Sequence, residues 1–497
     1  MDFALEPGAV TRADRVAQVP LWIDGTPVAG ERTDQTVEPA TGRVLATAHL
    51  ADLAQADTAV AAAVRAQGRW GRLGMPERAA AVAALGRRIE ERAADFGLLD
   101  ALDTGTPIRT MRVGAAKGAQ YLVAAAGAAL ETQGTTVPAT GTGWHLTFPR
   151  PLGVVVGIAA FNHPTLFACQ KIGPALLAGN AVILKPSEQA PLSAVMIAAL
   201  AADLLPAGVL QVVSGGPDVS AHLVEHPDVA AVTFTGGVAT GRKVQEAAAR
   251  SGRFKRLVLE LGGKNPILVF PDADLDAAAA AVVRGMNFTR NQGQSCGATT
   301  RLLVHRDVHD EVVRRVVEQV GQIRLGLPEL DTTEMGSLIS VAHRARSVAA
   351  VEDAVARGAR VLIGGRVPTD PELAGGAYLE PTVLGGVTPD MAAYREEQFG
   401  PVLAVTSCAD EAQMVRLAND TDLGLTAAVW TQDVTRALRV TEQVDAGYVW
   451  VNDVETRYPG VPFGGWKLSG TGVEQALSEE IRGFSRIKSV NIGIGAW

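Results

Sequence analysis

The sequence predicts an α/β protein built on buried parallel sheets, and three observations support that class. From Leu152 onward, short β-branched apolar runs alternate with helix-like segments. Gly or Pro marks each join, at Gly179-Asn180, Pro206, Gly215-Gly216, Gly236-Gly237 and Gly262-Gly263. The runs are continuously apolar, the pattern of strands covered by helices on both faces. Right-handed crossovers then give a sheet of the nucleotide-binding type.

Residues 1–50 are rich in Pro, Gly and Thr and read as short strands and turns. An Ala-rich helical region follows. Pro76 suits a helix start, Val82, Leu85, Ile89 and Phe96 repeat at helical spacing, and Asp103-Thr104-Gly105 ends the region. Turn residues around Trp144-His145-Leu146-Thr147-Phe148 predict a hairpin over 132–149. Strands are then expected at Leu152–Ile158, Ala181–Leu184, Leu210–Val213, Ala230–Phe234 and Arg256–Leu261. A second block starts after Gly262, with strands near Ile267–Phe270, Arg301–Val304, Val361–Ile363, Val402–Thr406, Ala427–Trp430 and Tyr448–Asn452. The tail Phe484–Ile494 alternates weakly and is expected to pair with another edge.

At 497 residues the chain exceeds what one hydrophobic core serves, so two or three domains are expected. A net charge of −8 without long runs argues against nucleic-acid and membrane partners. Cys169, Cys296 and Cys408 stand far apart with no C-x-x-C spacing, so neither a disulfide framework nor a metal site is expected. Met1–Gly8 lacks the basic and apolar regions of a signal peptide, and Leu152–Ala160 is too short to span a bilayer. A soluble cytoplasmic protein is the expectation.

Several residues carry a chemical logic. Cys296 lies in Asn291-Gln-Gly-Gln-Ser-Cys-Gly-Ala-Thr-Thr-Arg301, a Gly/Gln/Ser loop that lets backbone approach a ligand. A lone buried Cys is usually inert, but here Glu260 opens the Gly262-Gly263 turn upstream. A thiolate attacks an electrophilic carbonyl, and a carboxylate later takes a proton from water. Glu260 closes an apolar strand, where burial raises a carboxyl pKa; a strand-end salt bridge is the alternative. Asn162, in Ala159-Ala-Phe-Asn-His-Pro164, is either a turn residue or an amide donor to an oxyanion. Lys185-Pro-Ser-Glu188 follows a strand, where doubly wound sheets bind ligands. Gly236-Gly237 offers backbone N–H groups and a helix N-terminus to a phosphate. Glu397-Gln-Phe-Gly-Pro401, by itself, is a turn with an exposed acid.

Together with Pro462-Phe-Gly-Gly-Trp-Lys-Leu-Ser-Gly470, these runs resemble the signature segments of the NAD(P)-dependent aldehyde dehydrogenase superfamily, in order from Asn162 to Ser469. The resemblance implies a Rossmann-like cofactor domain (1–126 and 150–261), an α/β catalytic domain (262–479) and an oligomerisation arm (127–149 and 480–497). It implies Cys296 as nucleophile, Glu260 as general base and Asn162 as oxyanion donor, with Lys171 and Glu474 relaying protons or standing as plain surface charges. Phe161, Lys185, Ser187, Glu188, Gly236, Gly237, Gly262, Glu397 and Phe399 are then the cofactor residues. Glu188 would repel a 2′-phosphate, which favours NAD over NADP. The sequence departs from the family at Phe161 and His163, where Trp and Phe flank the Asn, and at Gly237, where Ser is usual.

Matched by motif offset, His163, Phe167, Gln170, Ser295, Gly297, Arg457 and Tyr458 line the substrate tunnel. That mixed lining suggests an aldehyde with a polar, aromatic or carboxylated tail; Arg457 either pairs with a carboxylate or faces solvent. The implied reaction runs through a thiohemiacetal and a thioester to the acid, in a homodimer or homotetramer. The alternatives are a CoA-acylating enzyme, which commonly lacks the base, a non-catalytic binding protein on the same fold, and a cofactor-free cysteine hydrolase.

Overall fold

The computed structural model describes residues 17–140 and 143–495. Met1–Gly8, read above as no signal peptide, lies outside them.

Among the described residues, five strands form the parallel centre of an eight-stranded sheet. Their spatial order is Arg256–Glu260, Val229–Thr235, Val154–Ile158, Ala181–Lys185 and Leu210–Val212. Numbered along the chain this is 5-4-1-2-3, the doubly wound order. The order reverses between Val154–Ile158 and Val229–Thr235, so a crevice opens at the carboxyl ends of those two strands. Val154–Ile158 and Ala181–Lys185 are buried along their whole length, as continuous apolar runs require. Both edges are closed by antiparallel additions. Leu21–Ile23 and Thr26–Val28 cover one side, and Gly470–Thr471, from far along the chain, covers Arg256–Glu260 on the other.

A seven-stranded sheet follows in the order Arg360–Ile363, Thr382–Gly385, Val402–Cys408, Arg301–His305, Pro266–Val269, Thr426–Trp430 and Tyr448–Val451. All neighbours are parallel except Arg360–Ile363, which runs antiparallel at the edge. Its helices carry one apolar stripe each: in His309–Val320, Val312, Val316 and Val320 face the core. The strand Thr382–Gly385 is absent from the sequence expectation because Gly385-Gly386 makes its end look like a turn.

The helical region also runs further than expected. Gly105, at φ 76°, caps Ala93–Thr104, but Pro107 restarts the chain as Ile108–Ala129. Gly114, Gly118 and Gly127 weaken its helix propensity and disguise it in sequence. Packing explains one of them: a Cβ on Gly118 would stand 3.1 Å from Cys169 Sγ on the helix Pro164–Leu177. Tertiary contact overrides local preference here.

The tail forms the strand Ser485–Gly493, antiparallel to Gly143–Pro151 from Ser485 opposite Pro151 to Gly493 opposite Gly143. Thr136–Thr140 completes this small sheet, which shows Trp144, Phe148, Ile487 and Ile492 to solvent. Among the described residues, no helix is long and apolar enough to cross a membrane.

Candidate active site

The loop holding Cys296 is set by backbone that few residues adopt. Gln292 and Gly293 both have positive φ, at 59° and 71°, and a Cβ on Gly293 would strike the Gly400 backbone. Cys296 is thereby held nearly buried, 8% exposed. Asn265 clamps the loop: its Nδ2 donates to the carbonyls of Cys296 (2.7 Å) and Ala298 (2.9 Å), and its Oδ1 accepts from Thr426 N–H (2.9 Å). Gly263 presses on the Cys296 carbonyl so closely that a side chain there would collide with it. Asn265 was not singled out from the sequence, although it lies just beyond the Glu260–Lys264 run.

Glu260 ends its strand fully buried beside Cys296. Neither carboxylate oxygen has a protein partner in normal hydrogen-bond geometry. Burial, reinforced by the charge of Glu474, pushes its pKa up to about 8; the nearby Cys296 thiol, Arg457 and Lys171 pull weakly the other way. The thiol is also driven well above its ordinary value, first by burial and then by Glu260, while Arg457 opposes the rise. Behind Glu260, Lys171 Nζ meets Glu474 Oε1 at 3.2 Å and Thr233 Oγ1 at 3.2 Å, with both charged groups buried. Gly157 makes room for this lysine, since its Cβ would lie 3.3 Å from Lys171 Cβ. A third buried acid, Glu480, accepts from Tyr121 Oη, and burial, with the Glu474 charge, raises it to about 8. Neither residue of that pair was found from sequence.

Asn162 follows the first strand of the reversal point, buried in the same cavity wall as Cys296 and Glu260. Its Nδ2 donates to the Gln294 carbonyl at 2.9 Å, and Asn291 Nδ2 donates to that oxygen at 2.8 Å. Two loops are thus tied together at one carbonyl. A cavity of about 630 Å³ runs from Cys296 along the strand ends, and Phe161, Lys185, Ser187, Glu188, Gly236, Gly237, Gly262, Glu397 and Phe399 all line it.

On the other side of Cys296, His163 packs edge-on against Phe167 with ring centroids 5.8 Å apart. Gln170 follows one turn later on the same helix face, buried, with Oε1 unpartnered. Ser295 is half-buried and Gly297 buried. Arg457 stacks over Phe463, its guanidinium carbon 3.8 Å from the ring centroid. Tyr458 is 63% exposed and stands at the outside of the group.

The sequence pattern of the aldehyde dehydrogenase family matches residues 26–490. The chain belongs to that family. It is 39% identical over 485 residues to aldehyde dehydrogenase tropH of Talaromyces stipitatus, covering 96% of this chain and 93% of the relative. A crystal structure of a putative aldehyde dehydrogenase from Burkholderia cenocepacia superposes with TM-score 0.93 at 37% identity, over 96% of this chain and 98% of that one. Betaine aldehyde dehydrogenase from Staphylococcus aureus, in complex with NAD+, gives TM-score 0.93 at 31% identity, over 98% of this chain and 97% of that one. This aldehyde dehydrogenase is therefore an oxidoreductase that oxidises an aldehyde with NAD(P).

The cavity fits such a dinucleotide. Gly236 cannot carry a side chain, because a Cβ would lie 2.5 Å from the Phe234 ring, so backbone stays open at the start of the helix Val238–Arg250. Thr235 Oγ1 is buried in the wall without a partner. At one end Glu188 pairs with the buried Lys185; at the other, Glu397 Oε1 accepts from Gly263 N–H at 3.0 Å. Burial lifts Glu397 to about 7, against the pull of that N–H and of Lys264. Phe399 adopts φ 50° and meets Phe161 edge-on at 5.7 Å. His343, which sequence reading missed, completes this aromatic group: its Nε2 contacts the Phe399 carbonyl at 2.7 Å.

Proposed function

We propose that this aldehyde dehydrogenase is of the hydrolytic type, passing its acyl group to water, and that NAD is its preferred cofactor. The observation that carries the reading is Glu260: a buried, unpartnered carboxyl with a pKa near 8, facing the Cys296 thiol. That is the protonation poise of a general base working near neutral pH. The domain division 1–126 and 150–261, 262–479, with the arm 127–149 and 480–497, is part of the same proposal. So is a homodimer or homotetramer, supported by the apolar side chains exposed on the arm. Three unpaired cysteines suit a reducing compartment such as the cytoplasm.

Cys296 gives up its thiol proton to solvent, the resulting thiolate sulfur adds to the aldehyde carbon, and the carbonyl electron pair moves to oxygen. The second N–H of Asn162, beyond the one fixed on Gln294, and the backbone N–H of Cys296 donate to that oxyanion. Lys185, Ser187 and Glu188 would hold the adenosine ribose, Gly236 and Gly237 the diphosphate, and Phe161, Gly262, Glu397 and Phe399 the nicotinamide end. When bound, the nicotinamide supplies the hydride acceptor that turns the adduct into a thioester. Glu260 then takes a proton from water, the resulting hydroxide attacks the thioester carbon, and the Cys296 thiolate leaves as the acid forms. Lys171 and Glu474 stand behind Glu260 to move its proton away.

The test is NADH formation at 340 nm across an aldehyde panel, with and without CoA. Turnover without CoA supports hydrolysis; strict dependence on CoA reassigns Glu260. Two variants address the cofactor. Glu188→Gln removes the charge beside the 2′ position, and kcat/KM with NADP should rise about tenfold relative to NAD. An unchanged ratio would remove Glu188 from the selection. Gly237 has φ −72° with nothing within 4 Å of its Cβ position, so Gly237→Ser adds a hydroxyl without strain. It should lower KM for NAD roughly threefold, the worth of one modest hydrogen bond.

A further inference from the structure

Arg457 stands near the nucleophile with nothing to bind. Among the described residues its guanidinium makes neither an ion pair nor a hydrogen bond; it only stacks on the Phe463 ring. That ring packs in one apolar cluster with Cys296 and Leu425. A Cβ on Gly297, the residue after the nucleophile, would lie 2.7 Å from Arg457 Nη2. The guanidinium therefore stands beside the reacting sulfur, with its planar donor fork open.

Its surroundings add to the positive field. Arg290, at the end of the helix before the Cys296 loop, pairs with Glu455 at 3.4 Å. Lys117 approaches from Ile108–Ala129; burial lowers its pKa first, and Arg290 and Arg457 lower it further against Glu455. These three cations stand near Glu455, and Arg457 also acts on Glu260. His163 is held neutral by burial and by the same three cations; its Nε2 accepts from Asn291 Nδ2 at 3.2 Å, and its Nδ1 is buried without a partner. A neutral aliphatic aldehyde has no use for this excess charge so close to Cys296.

We propose that the substrate is an anionic aldehyde, a short ω-oxo carboxylic acid whose carboxylate is held by the unpaired Arg457 guanidinium while its aldehyde carbon meets Cys296. This deepens the dehydrogenase reading and rests on it for the aldehyde end. An arginine fork binds a carboxylate through two parallel hydrogen bonds. Lys117 and Arg290 set the field that draws the anion in and do not need to touch it. Because Arg457 neighbours Gly297, the carboxylate sits only a few carbons from the carbonyl.

Two measurements test this, one without turnover. In the first, kcat/KM is compared for succinic semialdehyde and butanal, in the parent enzyme, Arg457→Gln and Arg457→Lys. The anionic substrate should be preferred by the parent, and the ratio should fall at least tenfold in Arg457→Gln and less in Arg457→Lys. Added salt should lower the rate with the anion more than with butanal. In the second, Cys296 is alkylated with iodoacetate or iodoacetamide, its sulfur displacing iodide, and the modified peptide is quantified by mass spectrometry. The iodoacetate-to-iodoacetamide rate ratio should drop severalfold in Arg457→Gln. Butanal equal to succinic semialdehyde, with an alkylation ratio indifferent to residue 457, would overturn the anion site and leave the dehydrogenase intact. An alkylation ratio that follows residue 457, with no aldehyde oxidised, would uphold the anion site and overturn the activity.

Discussion

Cys296→Ala should abolish NADH formation from every aldehyde, with a loss on the order of 10⁴-fold or more, as when a nucleophile is removed from other covalent catalysts. The site offers no substitute. Cys169 and Cys408 are buried in the cores of the two sheets and neither lines the cavity that holds Cys296. NAD binding, followed by fluorescence titration, should persist in the variant, because only the end of the cofactor cavity changes. Residual turnover above a few per cent would mean that carbon–sulfur bond formation is not the route.

Glu260→Gln should separate the two halves of the reaction. Rapid mixing should give a burst of about one NADH per site, followed by a steady rate lower by about 10²–10⁴-fold, the usual contribution of a general base. In the parent enzyme only ionised Glu260 accepts a proton, so hydrolysis should accelerate as pH rises toward 8 and level above it. Stability moves the opposite way. Glu260 stays protonated in the fold up to about pH 8, whereas in the unfolded chain it ionises near 4.5. Between those values the unfolded chain holds fewer protons, so rising pH favours unfolding. Glu260→Gln lacks that penalty, and its Tm advantage should widen from pH 5 to pH 8. A gap that stays constant with pH would place the raised pKa elsewhere.

How much of this was legible in sequence depended on the range of the contacts. The strand-helix alternation after Leu152 and the glycine joins are local signals, and the doubly wound sheet follows from them. Glu260 and Cys296 could be read because a buried acid and a Cys in a small-residue loop each carry their own chemical argument. Lys171 and Glu474, 303 residues apart, could be paired only through the family resemblance. Asn265 and His343 carry no signal of their own, since their partners are backbone groups that no side-chain pattern announces. Tyr121 and Glu480, 359 residues apart, lay in segments with no motif at all. Arg457 was visible as a charge, but its lack of a counter-ion is a property of three dimensions.

The late arrival of Gly470–Thr471 at the edge of the first sheet has a consequence for how the protein is made. Until that segment leaves the ribosome, the Arg256–Glu260 strand presents an unpaired edge, and Lys171 sits among buried strands without its counter-ion Glu474. Asn180 likewise waits for the Phe484 carbonyl. Nascent chains therefore carry a sticky, charge-frustrated half-domain while the stretch between Glu260 and Gly470 is made, a state that invites aggregation and chaperone capture. A nonsense codon at or before residue 470 would release that state permanently, so loss of the segment that closes this edge should cost the cell the folded protein as well as its activity.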